Sequence, residues 1–161
     1  MALPRATLRP LAILLPLVFA LHVLEESPGF VTWFNLHADP DITDGLFLSV
    51  NATAFAITVI IAAIAAGTRD RIAALVATAW VGFLMLANAI FHLVATLEFG
   101  SFTPGVITGT LLYLPLSVVF IAVVARKYRL APAVVMGVAL LGGIPMYIDG
   151  WLIVFRGTRL F

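Results

Sequence analysis

The run IAALVATAWVGFLMLANAIFHLVATLE, residues 72–98, carries no Asp, Glu, Lys or Arg until its last position, Glu98. As an α-helix rising about 1.5 Å per residue, it is long enough to cross a hydrocarbon core of about 30 Å. Four more apolar runs of sufficient length occupy residues 8–26, 46–67, 105–125 and 132–155. A spanning segment has no water to satisfy its backbone, and none of these runs alternates like the strands of a closed barrel, so each reads as a helix. The expected fold is all-α: a polytopic membrane bundle of five transmembrane helices, forming a single domain over residues 1–161.

Composition agrees. Apolar residues make up 63% of the chain and charged residues only 11%, and the mean hydropathy is +1.14. Soluble domains are roughly half apolar and a quarter charged. A net charge of +1 without a clustered basic face excludes a nucleic-acid footprint. The absence of cysteine removes disulfides, thiolate catalysis and sulfur-ligated metals. Arginine far outnumbers lysine, a compositional habit of GC-rich bacterial genomes.

Loop charges set an expected orientation. Arg5 and Arg9, Arg69 and Arg71, and Arg126, Lys127 and Arg129 fall on one side, with Arg156 and Arg159 on the other. The positive-inside rule then puts the N-terminus in the cytoplasm and the C-terminus outside a bacterial plasma membrane. The opposite loop, residues 27–45, holds Asp39, Asp41 and Asp44 and no Lys or Arg. Within it, Phe30, Val31, Trp33 and Phe34 are expected in the headgroup layer and His37 in solvent. The first run has a second reading as a signal peptide cut after Ala20, with Val18 and Ala20 as the small residues. That cut would leave four spans and put His22 second from the new terminus; Pro16 and bulky Phe19 make it a mediocre site.

Breaks and starts follow from proline and glycine. Thr103-Pro104 reads as an N-cap followed by proline at the first helical position, and Pro132 opens the fifth span in the same way. Pro16, Pro115 and Pro145 each remove a backbone donor, freeing the carbonyls of Ala12, Leu111 and Leu141. The Gly142-Gly143-Ile144-Pro145 run is expected to bend or unwind the fifth helix one turn before Asp149. No internal repeat is visible, which counts against the inverted-repeat transporters.

Polar residues inside the spans share one depth. His22, Glu25 and Glu26 close the first helix. Asn51 lies about one and a half turns into the second, Asn88 and His92 lie in the corresponding part of the third, and Asp149 in that of the fifth. Positions i, i+3 and i+4 share a helix face, so His22 can meet both glutamates and Asn88 can meet His92. Glu98 falls on another face and reads as an interface residue.

Glu25, Glu26 and Asp149 are potential anions at a depth where no Lys or Arg is expected. An ionised group at a helix centre costs about 2.5–3.5 kcal/mol, so something must neutralise them. Protons, pairing with His22 or His92, or a bound cation are the three remedies. Two imidazoles with carboxylates suit a single divalent metal, Zn or non-haem Fe, with an open position for water or substrate. The expected ligands are His22, Glu26, His92 and Asp149. His22, Glu25 and Glu26 are the expected catalytic groups, with Glu25 as general base, and Asn51, Asn88, Tyr113 and Tyr147 are expected to bind substrate. The spacing is neither the His-Glu-x-x-His of zinc proteases nor the Glu-x-x-His of di-iron bundles.

The run His22-Val23-Leu24-Glu25-Glu26 at the end of a first membrane helix, with Asn88 and His92 further along, resembles the HXXEE family of small bacterial membrane proteins. That family carries no assigned reaction, so the resemblance implies a site centred on His22, Glu25 and Glu26 without naming its chemistry. The leading expectation is a metal-dependent enzyme, hydrolase or oxidase, acting on a lipid-like substrate. The alternatives are a metal-free acid-base isomerase of an isoprenoid or sterol-like lipid, a proton-coupled carrier or receptor for a cationic amphiphile, and a structural subunit. Oligomeric state is left open.

Overall fold

The computed structural model describes residues 8–38, 41–67 and 69–160; Arg5 and Asp39 lie outside the described residues. Five helices are long and apolar enough to cross a membrane: α1 (Leu8–Glu26), α3 (Asp44–Gly67), α4 (Arg71–Phe99), α5 (Val106–Tyr128) and α6 (Pro132–Arg156). Their bounds fall within three residues of the expected spans. Between α1 and α3 lies an eight-residue helix, α2 (Phe30–His37), that the periodicity did not separate from its loop. No strand occurs among the described residues. The outer surface exposes large apolar side chains such as Leu17, Leu24, Ile60, Val76 and Leu141, as helices bathed in lipid do.

The buried α4 is the centre of the bundle, packed most extensively against α6. Their backbones nearly touch. A Cβ on Gly82 would lie 2.6 Å from the Ala139 carbonyl carbon, and one on Gly142 would lie 2.7 Å from that of Ala79. Small residues let membrane helices approach and gain dispersion contacts where no hydrophobic force drives association. This corrects the expected role of the Gly142-Gly143 pair: α6 runs as one helix from Pro132 to Arg156 without local unwinding. The glycine serves a helix crossing.

The π-helical turns occur elsewhere, at Gly82–Ala87 in α4 and Gly109–Tyr113 in α5. The second covers Leu111, whose carbonyl Pro115 cannot bond. Such turns are rare and concentrate at functional sites, and these two precede Asn88 and flank Tyr113. Pro132 begins α6 as expected. Thr103 does not cap α5: the helix starts at Val106, and Thr103 instead bonds back to Thr96 of α4 at 3.0 Å.

Leu8, Ala12, Leu15 and Phe19 of α1 are buried in the core, so a cut after Ala20 would take four packed residues from the bundle. α1 packs on α3 through stacked Phe19 and Phe55 rings. The Trp80 indole donates to Thr58 Oγ1 at 3.0 Å and ties α3 to α4. Trp80→Phe is expected to cost about 0.6–2 kcal/mol, the range of interhelical hydrogen bonds in membranes, as read from reversible unfolding in mixed micelles. An unchanged midpoint would show that the bond carries no stability.

α2 lies over one end of the bundle. Trp33 and Phe34 are buried with Phe91, Ala95, Ile153 and Val154, so they pack against protein instead of resting in a headgroup layer. His37 is half-buried rather than solvated, its ring 4.7 Å from Trp33 and 4.1 Å from Phe99. The Asn35 side chain both donates to and accepts from the backbone of Ile42, at 2.8 and 2.7 Å, and closes the loop behind α2.

Candidate functional site

Beneath α2, the last turn of α1 meets α4 and the start of α5. His22 is 1% exposed, Glu26 5% and His92 0%. Glu26 Oε1 stands 3.4 Å from His22 Nε2 and 3.2 Å from His92 Nε2. One ligand atom from each of the three residues fits within 4.8 Å of the others. Neither N···O approach has hydrogen-bond geometry: both Nε2 atoms are buried without a hydrogen-bond partner. Two buried imidazole nitrogens thus stand within 3.4 Å of one carboxylate oxygen without being bonded to it.

The packing around this point is aromatic and close. The His22 and His92 rings are 5.1 Å apart and nearly perpendicular. Tyr113, fully buried, lies with its ring 4.3 Å from that of His22, and Phe30 of α2 covers His92 at 6.1 Å. Gly105 closes the remaining side with φ +99°, where a Cβ would stand 2.7 Å from His92 Cε1 and 2.9 Å from His22 Cε1. Backbone therefore lies where any side chain would displace an imidazole.

Glu25 does not join Glu26. Its carboxylate turns to the first turn of α5, accepting from the Ile107 amide at 3.0 Å, the Thr108 amide at 2.7 Å and the Thr108 hydroxyl at 2.5 Å. The free N–H groups of a helix start and the positive end of its dipole favour a carboxylate there. The same hydroxyl is 2.7 Å from His22 Nδ1. Spacing put all three polar residues of α1 on one face; the structure divides them, with Glu26 facing His92 and Glu25 facing α5.

Asp149, an expected ligand, is not brought to the cluster. It is buried in α6 and accepts from the Leu160 amide at 2.5 Å, with Arg159 near enough to act on it electrostatically. The C-terminal segment folds back to it, so a backbone amide meets this carboxylate. Asn51 donates to Phe47 of its own helix at 3.0 Å. Tyr147 lines a separate apolar cleft of about 180 Å³ between α4 and α6. Asn88 is one turn from His92, and Asn88 Oδ1, His92 Nδ1 and the Tyr113 hydroxyl are all buried without partners. Glu98 is exposed.

Thr108, Gly105 and Phe30 were not singled out as site residues from sequence. Thr108 meets Glu25 and His22 across more than eighty residues of chain, and no local pattern announces such a contact. Gly105 had a fainter signal, the Pro104-Gly105 turn beside a predicted helix start.

Residues 13–120 match the family described as proteins of unknown function with an HXXEE motif. The chain belongs to the HXXEE family. The motif of this family member is His22 to Glu26, and in the fold its first and last residues face the cluster while Glu25 anchors α5. No curated protein and no solved structure matches the chain.

Proposed function

We propose that this HXXEE protein is a membrane-embedded, metal-dependent enzyme of the hydrolase or oxidase type, holding one Zn or Fe(II) with His22, Glu26 and His92 and acting on a lipid-like substrate. The observation that carries this reading is the pair of buried, unbonded Nε2 atoms 3.4 and 3.2 Å from one carboxylate oxygen. With metal–ligand bonds of about 2.0–2.1 Å, tetrahedral geometry places neighbouring ligand atoms about 3.4 Å apart. Two imidazoles and one carboxylate are the donor set of catalytic zinc and of non-haem iron, and three protein ligands leave a position for water or substrate. Bound there, the metal would supply Lewis acidity or activate water.

The protein's own part is to exclude bulk water with Phe30 and α2, to fix both rings, and to offer Asn88 and Tyr113 to the polar end of a substrate. A lipid-like substrate follows from a site enclosed among apolar helices. The excess of Arg and Lys in the loops at the other end supports an orientation with this end of the bundle outside a bacterial plasma membrane.

Elemental analysis of gently solubilised protein, with native mass spectrometry for copurifying lipid, tests the reading. About one metal per chain is expected. Glu26→Gln and His92→Ala should each lose it while keeping the wild-type helical content, and Asp149→Asn should retain it. Wild-type protein that stays metal-free in excess Zn and anaerobic Fe(II) would end the metal assignment.

A second reading has its own support. One carboxylate between two imidazoles is also an acid-base array, suited to moving a proton along an isoprenoid or sterol-like chain without metal. Its activity would survive chelation. The carrier or receptor for a cationic amphiphile is less well served, since Glu25 and Asp149 are committed to backbone amides. Glu26 alone is left to meet a cation.

A further inference from the structure

We propose that Thr108 and Glu25 form a positioning relay that fixes the tautomer of His22, presenting its Nε2 lone pair to the cluster. The inference deepens the metal reading and rests on it for its functional sense. Its argument is hydrogen-bond arithmetic. A threonine hydroxyl has one proton to give. The Glu25 carboxylate takes amide donors on both oxygens, from Ile107 and Thr108, so it stands as an acceptor, and the hydroxyl approaches it at 2.5 Å. The hydroxyl's other acceptor in reach, the Gly105 carbonyl, is at 3.5 Å. Whichever of the two receives that proton, the hydroxyl has none left for His22.

The 2.7 Å contact between His22 Nδ1 and Thr108 Oγ1 therefore runs from ring to hydroxyl, with Nδ1–H donating. A neutral imidazole protonated at Nδ1 has its lone pair on Nε2, the atom 3.4 Å from Glu26. Metal-bound histidines are commonly held in this way, the distal N–H donating to a carboxylate or carbonyl that fixes the ring and raises its basicity. Here a hydroxyl is inserted between imidazole and carboxylate. The backbone amides of α5 hold Glu25 in turn, so seating α5 against α1 and orienting His22 are one event.

Two readouts on the same detergent-purified proteins test the relay. With only three histidines in the chain, ¹⁵N-histidine NMR resolves the tautomer in metal-free protein. The wild type should show His22 protonated at Nδ1, Thr108→Val should lose that preference, and Thr108→Ser should restore it. Zn titration should show affinity weakened about 10–100-fold by Thr108→Val and recovered by Thr108→Ser, the range for losing a ligand's outer hydrogen-bond partner. Thermal unfolding of the metal-free variants separates misfolding from mispositioning, and Thr108→Ala, which also lacks the hydroxyl, makes the same comparison with wild type and Thr108→Ser if the valine variant fails to fold.

A wild-type His22 protonated at Nε2, or a Thr108→Val protein that keeps the wild-type tautomer and Zn affinity, would overturn the relay. A wild type that shows the Nδ1–H form and binds no metal would overturn the metal assignment and leave the relay standing.

Discussion

Gly82→Ala is expected to destabilise the bundle by about 3 kcal/mol or more, at or beyond the upper end for overpacking a core. The added Cβ would lie 2.6 Å from the carbonyl carbon and 2.7 Å from the Cα of Ala139. Overpacking a core costs about 1–3 kcal/mol when side chains can yield. Here the obstacle is main chain, so no rotamer relieves it and α4 must move away from α6. Separation would loosen Val81 and Met85 against Val135 and Ala139, all within 1% of full burial. Reversible unfolding in mixed micelles gives the number.

Gly137→Ala is the control. Its Cβ meets nothing within 4 Å, so it should be neutral or stabilising by up to about 1 kcal/mol through backbone entropy. Equal stability of the two variants would show that α4 and α6 do not pack as closely as described.

Gly105→Ala should strike the site itself. At φ +99° an alanine incurs backbone strain of about 1–3 kcal/mol, and its methyl would press on His92 Cε1 at 2.7 Å and His22 Cε1 at 2.9 Å. Either ring must turn, and bound metal is expected to fall from about one per chain to near zero. The His92→Ala background separates the two causes. With that imidazole removed, part of the steric cost of Gly105→Ala should vanish while the backbone strain remains, giving a double-mutant coupling of about 0.5–3 kcal/mol. Full metal retention in Gly105→Ala would mean that backbone does not seal the cluster.

The sequence reading recovered the number and bounds of the five long apolar helices, though not α2, because a segment that spans lipid must be apolar, helical and about 20 residues long. It also found His22, Glu26 and His92, since ionisable residues are scarce inside apolar runs and carry meaning there. Its depth argument had less power. Asn51 and Asp149 share the depth of the cluster and bond elsewhere, because rise along a helix says nothing of which way the helix is turned. The α2 cap was read as an interfacial stretch for a similar reason: its aromatic residues suit a headgroup layer and a protein surface equally well.

Sequence by itself determined that this chain carries five helices long and apolar enough to cross a hydrocarbon layer, since that follows from transfer energies counted residue by residue. Tertiary structure alone decided the division of labour within the motif. Glu26 turns to His92 while Glu25 turns to the α5 amides, and a threonine more than eighty residues away joins Glu25 to His22. Adjacent carboxylates about 100° apart on a helix face different neighbours. Which neighbours those are depends on how helices rotate and pack, and close approach at Gly82, Gly142 and Gly105 fixes that here.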